Sequence, residues 1–375
     1  MSTAAPRQPA VIGIIGSAGA YGQWLTRFFG ERMQLQVIGH DPADPASATP
    51  DALLEQADVL VFSAPIAHTP ALIAEYVQRS RGRETGRLWL DVTSVKQAPV
   101  AAMLTSHAEV VGLHPMTAPP KSPTLKGRVL VVCEARLHAW KSWVETVCVA
   151  LEAECVRSTP QQHDQVMALV QAMVHATHLA QAGVLRGYQA ALGDVSALMP
   201  FRSASFELDA AIMARIFALN PAIYEDIQFG NPHVAPMLQQ LVEQLQQLQA
   251  QVAQGDDAAR SAFRRQWLEE NRGVFGDRAV AEGNYTFERV GYLLADLTEQ
   301  NALSVHLPED RPGSLRALLH VFETHGVSLA SIHSSRTPGG EVHFRIGFVP
   351  DSDSARIAAA AAQVDETRIG RVLRR

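Results

Sequence analysis

Two short apolar runs, joined through a glycine turn and a helix, constrain this chain more than any other feature. VIGII (11–15) runs into Gly16-Ser17-Ala18-Gly19-Ala20-Tyr21-Gly22, YGQWLTRFFGE follows, and LQVIGHD ends in Asp41. Strand, glycine turn, helix, strand, with a carboxylate roughly 20 residues on, is the order a dinucleotide site requires. Gly19 lets backbone approach a pyrophosphate, and the helix start at Ala20 and Tyr21 offers free N–H groups and positive dipole. Gly22 allows close packing of helix on strand. The spacing departs from the usual three-glycine pattern: Ser17 fills the first slot and Gly16 lies one residue earlier. A carboxylate at Asp41 accepts hydrogen bonds from ribose hydroxyls and repels a 2′-phosphate, which favours NAD over NADP. His40 beside it weakens that preference.

The alternation then continues. ADVLVFSAP (57–65) is a third strand ending at Pro65, and a helix spans about 70–79. RLWLDVTSVK (87–96) delivers Asp91, Ser94 and Lys96 into a loop, and AEVVGLH (108–114) ends on His114. GRVLVVCEA (127–135) and a helix near 138–153 follow. Repeated strand–helix alternation implies an α/β domain with a doubly wound parallel sheet over 1–157. Pro115 cannot donate to a ladder and restricts His114 to extended conformations, so the imidazole is held at a strand end. An isolated His-Pro pair reads as a structural turn. Here the loops bearing Gly19, Pro65, Ser94 and His114 all open on one sheet edge, where such folds bind ligands.

From about Gln161 the pattern becomes helical, and an all-α domain is expected over 158–275. Met167, Gln171, His175 and His178 recur at helical steps on one face. A histidine on such a face is most often a satisfied core residue. No metal is expected, because His175-x-x-His178 has no acidic ligand near it in sequence. FELDAAIMARIFALNPAIYEDI (206–227) is a second helical segment broken at Asn220-Pro221. Leu238, Leu241, Leu245, Leu248 and Val252 form a short seam suited to a subunit or domain contact. Residues 276–301 read as a connector. The remainder, 302–375, reads β-α-β-β-α-β, the ferredoxin-like order. Its Pro312-Gly313-Ser314 opens a helix with exposed N–H groups suited to a small carboxylate.

Composition narrows the function classes. The 375 residues are 47% hydrophobic and 19% charged, with net charge -6. There is no long basic run, which argues against nucleic acid or an anionic membrane as partner. No apolar run is long enough to span a bilayer, and the first residues lack a signal-peptide core. Cys133, Cys148 and Cys155 sit in apolar contexts. They are expected to be buried and reduced, in a cytoplasmic protein.

Taken together, these residues resemble the prephenate/arogenate dehydrogenase family of tyrosine biosynthesis. The likeness rests on the Gly16–Gly22 loop, Asp91-x-x-Ser94-Val95-Lys96, Gly112-Leu113-His114-Pro115-Met116, the helix His163-Asp164-Gln165…Gln171…His175, and RIFALNPAIYEDI. The C-terminal stretch resembles an ACT domain. Its effector-site pieces would be Asp310, Gly313, Ser314 and Leu315, with Ile332, His333 and Ser334. The resemblance implies a Rossmann-like NAD domain and a helical domain that forms a homodimer. It makes His114 the partner and proton acceptor of the substrate's ring hydroxyl, oriented by Ser94, with Gln171 and His175 contacting substrate. The family usually carries an arginine for a substrate carboxylate where Glu207 stands, and Arg202 or Arg215 are the candidate replacements.

The implied reaction is NAD-dependent oxidative decarboxylation of prephenate to 4-hydroxyphenylpyruvate, subject to feedback by an aromatic amino acid. The same chemistry on arogenate or 4-amino-4-deoxyprephenate is the alternative, because Glu207 suits an extra ammonium. A reading from another class is a non-catalytic sensor of dinucleotide and amino acid. Ser94, His114 and His175 occurring together argue against it, since a sensor needs no proton acceptor.

Overall fold

The computed structural model of the chain describes residues 10–298, 302–307, 311–336 and 342–373. They fall into two compact units, Met1–Leu245 and Gln246–Arg375. In the first, seven strands form one sheet in the order β2-β1-β3-β4-β5-β6-β7. They are β1 (Ile12–Ile15), β2 (Val37–His40), β3 (Val59–Phe62), β4 (Leu88–Asp91), β5 (Glu109–Pro115), β6 (Val129–Arg136) and β7 (Glu154–Ser158). The intervening helices are α1 (Ala20–Arg27, continued by a wider π turn to Arg32), α2 (Pro50–Gln56), α3 (Thr69–Ser80), α4 (Gln97–Leu104) and α5 (Lys141–Leu151).

Strands β1, β3 and β4 are buried on both faces, which explains why they read as unbroken apolar runs. Their side chains alternate between two cores. Ile12, Ile14, Val59 and Val61 enter one with Trp24 and Phe28. Ile15, Leu60, Phe62 and Trp89 enter the other. Strands β1 to β5 are mutually parallel, so their carboxyl ends share an edge. Strand order reverses direction between β1 and β3, and that is the crevice where open α/β sheets take ligands.

The parallel expectation stops at β5. Strand β6 runs antiparallel to it, and β7 is parallel to β6. A parallel return needs a crossover element, and residues 116–128 contain no helix. The ladder also runs one residue past His114, because Pro115 pairs with Leu130. The Met116 N–H bonds to the Val129 carbonyl, so the Pro115 nitrogen faces the β4 side. There the ladder has already ended at Gly112, and no bond is forfeited.

The helical part begins with α6 (Pro160–Met167), a π turn over Ala168–Met173, and α7 (Val174–Leu192). Thr159 caps α6 by accepting from the Gln162 N–H, with Pro160 in the first turn. Next come α8 (Val195–Leu198), α9 (Ala204–Ala218), α10 (Pro221–Gly230) and α11 (Val234–Gln254). Asn220 caps α10 ahead of Pro221, which accounts for the expected break. Large apolar side chains stand in solvent here: Phe201 is 88% exposed and Phe229 86%, and Leu245 and Val252 of the seam are exposed as well. That is more apolar surface than one chain covers.

In the second unit, α12 (Asp257–Phe263) passes through a π turn into α13 (Asn271–Thr298), broken at Gly276 where φ is 73°. The expected connector is therefore helical over 277–298. Strands β8 (Ala302–Leu307), β9 (Leu329–Arg336), β10 (Val342–Phe348) and β11 (Arg371–Leu373) form an antiparallel sheet in the order β11-β8-β10-β9. Helices α14 (Ser314–Thr324) and α15 (Ser354–Glu366) complete the ferredoxin-like unit. Leu318, Phe322, Phe344, Ile346 and Val364 fill its core.

The cysteines only partly follow expectation. Cys133 is buried, Cys148 half-buried and Cys155 exposed, all as free thiols. Cys155 lies on the edge strand β7, which follows the helix expected near 138–153 and is not itself among the expected strands. Among the described residues no helix is long and apolar enough to cross a membrane.

Candidate active site

The glycine turn sits at the carboxyl end of β1. Gly16 has φ +84°, and a Cβ there would lie 2.4 Å from the Ser63 carbonyl oxygen. A Cβ on Gly22 would lie 2.0 Å from the Gly16 carbonyl oxygen, so helix and turn touch backbone to backbone, as expected. Gly19 is the cap of α1 and brings no side-chain cap to its N–H groups. Asp41 follows β2 directly, and its Oδ2 accepts from the Ala18 N–H at 3.0 Å. Ser17 packs over Gly39, where a Cβ would lie 2.6 Å from Ser17 Oγ. These are the features of a dinucleotide cradle: a bare helix start, a turn closed to side chains, and a carboxylate at the neighbouring strand end. Tyr21 contributes only backbone there. Its hydroxyl donates to the Thr117 carbonyl at 3.1 Å, and burial pushes its pKa well up. Pro65 is the third residue of the loop after β3, and its carbonyl accepts from Thr69 Oγ1 at 2.9 Å.

His114 is 2% exposed, and its partner is one the sequence reading did not assign. Nδ1 of His114 lies 2.8 Å from Nε2 of His163, and Nδ1 of His163 lies 2.7 Å from Oδ1 of Asp164. Asp164 also accepts from the Lys96 N–H at 2.8 Å and the Gln97 N–H at 2.9 Å, so its carboxylate caps α4 from a distant helix. Its backbone carbonyl is held by Asn231 Nδ2 at 2.7 Å. This set fixes the tautomers. A carboxylate can only accept, so His163 donates from Nδ1 and accepts at Nε2. His114 must then donate from Nδ1, which leaves a lone pair on Nε2. Nε2 has no protein partner among the described residues. Burial, His163 and Lys96 together hold the His114 pKa well below 6.5, so the ring is neutral at ordinary pH. The Lys96 ammonium is itself buried, ion-paired with Asp91, and donates to the Leu113 carbonyl at 2.9 Å.

The remaining predicted residues divide. Ser94 lies on the loop after β4, half-buried. Its hydroxyl has no hydrogen-bond partner among the described residues, so His163 rather than Ser94 orients His114. Gln171 falls in the π turn and His175 in the first turn of α7. Gln171 Oε1 and His175 Nδ1 are both buried without partners. The His175 ring stands edge-on to Tyr224 with centroids 4.8 Å apart, and burial lowers its pKa. His178 is paired with Asp209 at 3.2 Å. Among the described residues no three His, Cys, Asp or Glu side chains group as metal ligands.

Arg202 lies outside the helix that carries Glu207. It precedes the Ser203 cap of α9 and folds back to pair with Glu207 at 3.1 Å. Arg215 is exposed in the last turn of α9. Of the C-terminal candidates, Asp310 lies outside the described residues. Gly313 caps α14 with φ +99°, and Ser314 Oγ accepts from the Arg311 N–H at 3.0 Å. Leu315 is exposed. Ile332, His333 and Ser334 lie on the edge strand β9, with Ile332 and Ser334 turned outward.

His163 and Asp164 were present in the sequence as a polar pair facing inward one turn before Met167 and Ala168. A His-Asp pair in helical step with the apolar Met167 and Ala168 was the available signal.

A nucleotide-type cradle and a buried, neutral histidine on one sheet edge define a dinucleotide-dependent oxidoreductase fold. Comparison with known proteins gives the family. Residues 44–158 match the nucleotide-binding domain of prephenate dehydrogenase, 159–265 its dimerization domain, and 302–366 an ACT domain. The 4-amino-4-deoxyprephenate dehydrogenase of Streptomyces pristinaespiralis is 31% identical over 287 residues, covering 71% of this chain and 92% of its own. A Methanocaldococcus jannaschii protein named as a probable arogenate/prephenate dehydrogenase is 25% identical over 309 residues, 78% of this chain and 67% of its own. The crystal structure of A. aeolicus prephenate dehydrogenase, with hydroxyphenyl propionate and NAD+, shares the fold. Its TM-score is 0.56 at 16% identity, covering 71% of this chain and 99% of that one. The chain belongs to the prephenate dehydrogenase family.

Proposed function

We propose that the chain oxidises prephenate to 4-hydroxyphenylpyruvate with loss of carbon dioxide, using NAD. The observation that carries this reading is the lone pair on His114 Nε2, fixed by His163 and Asp164 at the carboxyl edge of the sheet. NAD, when bound, supplies the acceptor for the hydride leaving the ring carbon. The Gly16–Gly22 turn and the start of α1 suit its pyrophosphate, and Asp41 suits its ribose. His114 accepts the ring-hydroxyl proton as the carbonyl forms. Asp164, through His163, offsets the charge that then develops on the imidazole. Ser94, Gln171 and His175 offer polar atoms without protein partners to the substrate. Decarboxylation follows from aromatisation of the ring.

A second reading keeps the chemistry and adds an ammonium to the substrate, as in arogenate or 4-amino-4-deoxyprephenate. It is favoured by Glu207 standing where the resemblance expects an arginine, with Arg202 drawn into an ion pair with it. The test is reduced-cofactor formation with prephenate, arogenate and the 4-amino analogue, each with NAD and NADP. Turnover of prephenate with NAD supports the first reading. Turnover only of an amino compound supports the second, and preference for NADP refutes the role given to Asp41.

The organisation we infer is a dinucleotide domain over 1–157, a helical dimerisation domain over 158–275, a connector over 276–301 and an ACT domain over 302–375, assembled as a homodimer. The exposed apolar side chains of α7 to α11 support the dimer. An aromatic amino acid, tyrosine first, is the proposed effector at Asp310, Gly313, Ser314, Leu315, Ile332, His333 and Ser334. Gly313→Val, strained at φ +99°, should weaken tyrosine inhibition and leave uninhibited turnover intact. Equal inhibition of both proteins would put tyrosine in the active site instead.

A further inference from the structure

A pair of thiols lies away from all of this. Leu130 of β6 enters the core face covered by α5, together with Trp143, Val144, Val147 and Leu151. Cys155 of β7 is in register with Leu130, and residues in register point to the same face of a sheet. Cys155 therefore projects toward α5 from the edge strand. Cys148 on α5 packs partly buried against the same core, and the neighbouring Cys155 sulfur adds to burial in pushing its thiol pKa up. Cys155 in turn donates to the Ala153 carbonyl at 3.7 Å. Both thiols are free, and only Cys155 is exposed. The pair precedes the dimerization-domain match, which begins at residue 159.

We propose that Cys148 and Cys155 form a reversible intramolecular disulfide, with Cys155 as the entering thiol and Cys148 as the resolving one. Their unequal exposure assigns the roles. Burial and the neighbouring Cys155 sulfur push the Cys148 thiol up to about 12, so it does not initiate exchange. Cys133 is likewise pushed up to about 12 and is walled in. The Cys155 thiolate attacks one sulfur of a small disulfide such as oxidised glutathione, expelling one glutathione thiolate and leaving a mixed disulfide. Cys148 then gives its proton to solvent and attacks the Cys155 sulfur, expelling the second glutathione. One disulfide is consumed, one is formed, and two small thiols are released. The closed ring contains the eight residues 148–155, including Glu152 with φ +56°.

The test is incubation of the full-length protein with oxidised glutathione, followed by thiol titration after unfolding and peptide mass mapping. The count should fall from three thiols to one, with loss of two hydrogens in mass and a crosslinked 148/155 peptide. Cys148→Ser should stop at a single glutathione adduct on Cys155. Cys155→Ser, a change at an exposed site, should lose the reaction altogether. A stable glutathione adduct on Cys155 in the unmodified protein, a disulfide between chains, or an unchanged thiol count would each overturn the proposal.

Discussion

His114 and His175 sit in opposite kinds of surroundings. The first is buried with one ring nitrogen committed to His163, which is committed to Asp164, which takes two backbone N–H groups at the start of α4. The second is half-buried against Tyr224, and its Nδ1 has no partner, like Gln171 Oε1 one turn before. Burying a polar group costs free energy unless a hydrogen bond compensates. The sheet edge has met that cost within one chain, and the helix has not. A base must be oriented before its substrate arrives, whereas a binding group gains by leaving its partner to be supplied by the ligand. On the proposed mechanism the contrast separates groups that set the rate from groups that set affinity.

The sharpest way to break this comparison is at His114. His114→Asn should lower kcat roughly 10²–10⁴-fold and leave NAD affinity unchanged; near-normal turnover would remove the base from the mechanism. Asp164→Asn comes next. An amide can donate to His163 and reverse the chain, so that His114 Nε2 carries the proton. A fall in kcat of roughly 10²-fold at unchanged KM is expected. If only stability falls, the carboxylate merely caps α4.

On the helical side, Gln171→Met should raise KM for prephenate about tenfold, the worth of one hydrogen bond to a charged group, with kcat little changed. Its melting temperature should hold or rise, because a buried acceptor without a partner is removed. A clear drop would mean that Gln171 is satisfied in the free protein. The smallest effect is on pH dependence. The folded-state pKa of His114 is depressed below 6.5, so below that pH the unfolded chain binds a proton that the folded chain refuses. Stability is then lost as pH falls. Melting temperatures between about pH 5 and 8 should show the wild type losing ground to His114→Asn toward the acid end. Parallel curves would contradict a buried neutral ring.

What the sequence disclosed follows the same division. Gly16 to Gly22, Asp41 and His114 are local signals: a turn, a strand end, a proline. Each was legible because backbone sterics act on neighbours in the chain. The His114–His163 contact joins residues 49 apart across the reversal at β6, and nothing local announces an antiparallel return after a loop without a helix. The Ser203 cap starts α9 at Ala204, two residues after Arg202, and nothing local announces that Arg202 folds back onto Glu207. Cys155 was taken as buried from apolar neighbours, although an edge strand exposes residues that a central strand would cover.

The reversal at β6 also works as a ruler. Strand β7 pairs only with the first part of β6, so the chain leaves the sheet at Ser158, level with Cys133 and through it with Gly112. That exit is two ladder steps from His114, close enough for an imidazole in the opening turns of α6 to reach it. Had β7 continued alongside β6 to Arg136, the exit would lie roughly 10 Å further off at about 3.3 Å per residue, and His163 would miss its target. The length of an outer strand thus sets how far His163 stands from His114. Adding or removing a single residue between Ser158 and His163 would retune that distance without touching any group that meets the substrate.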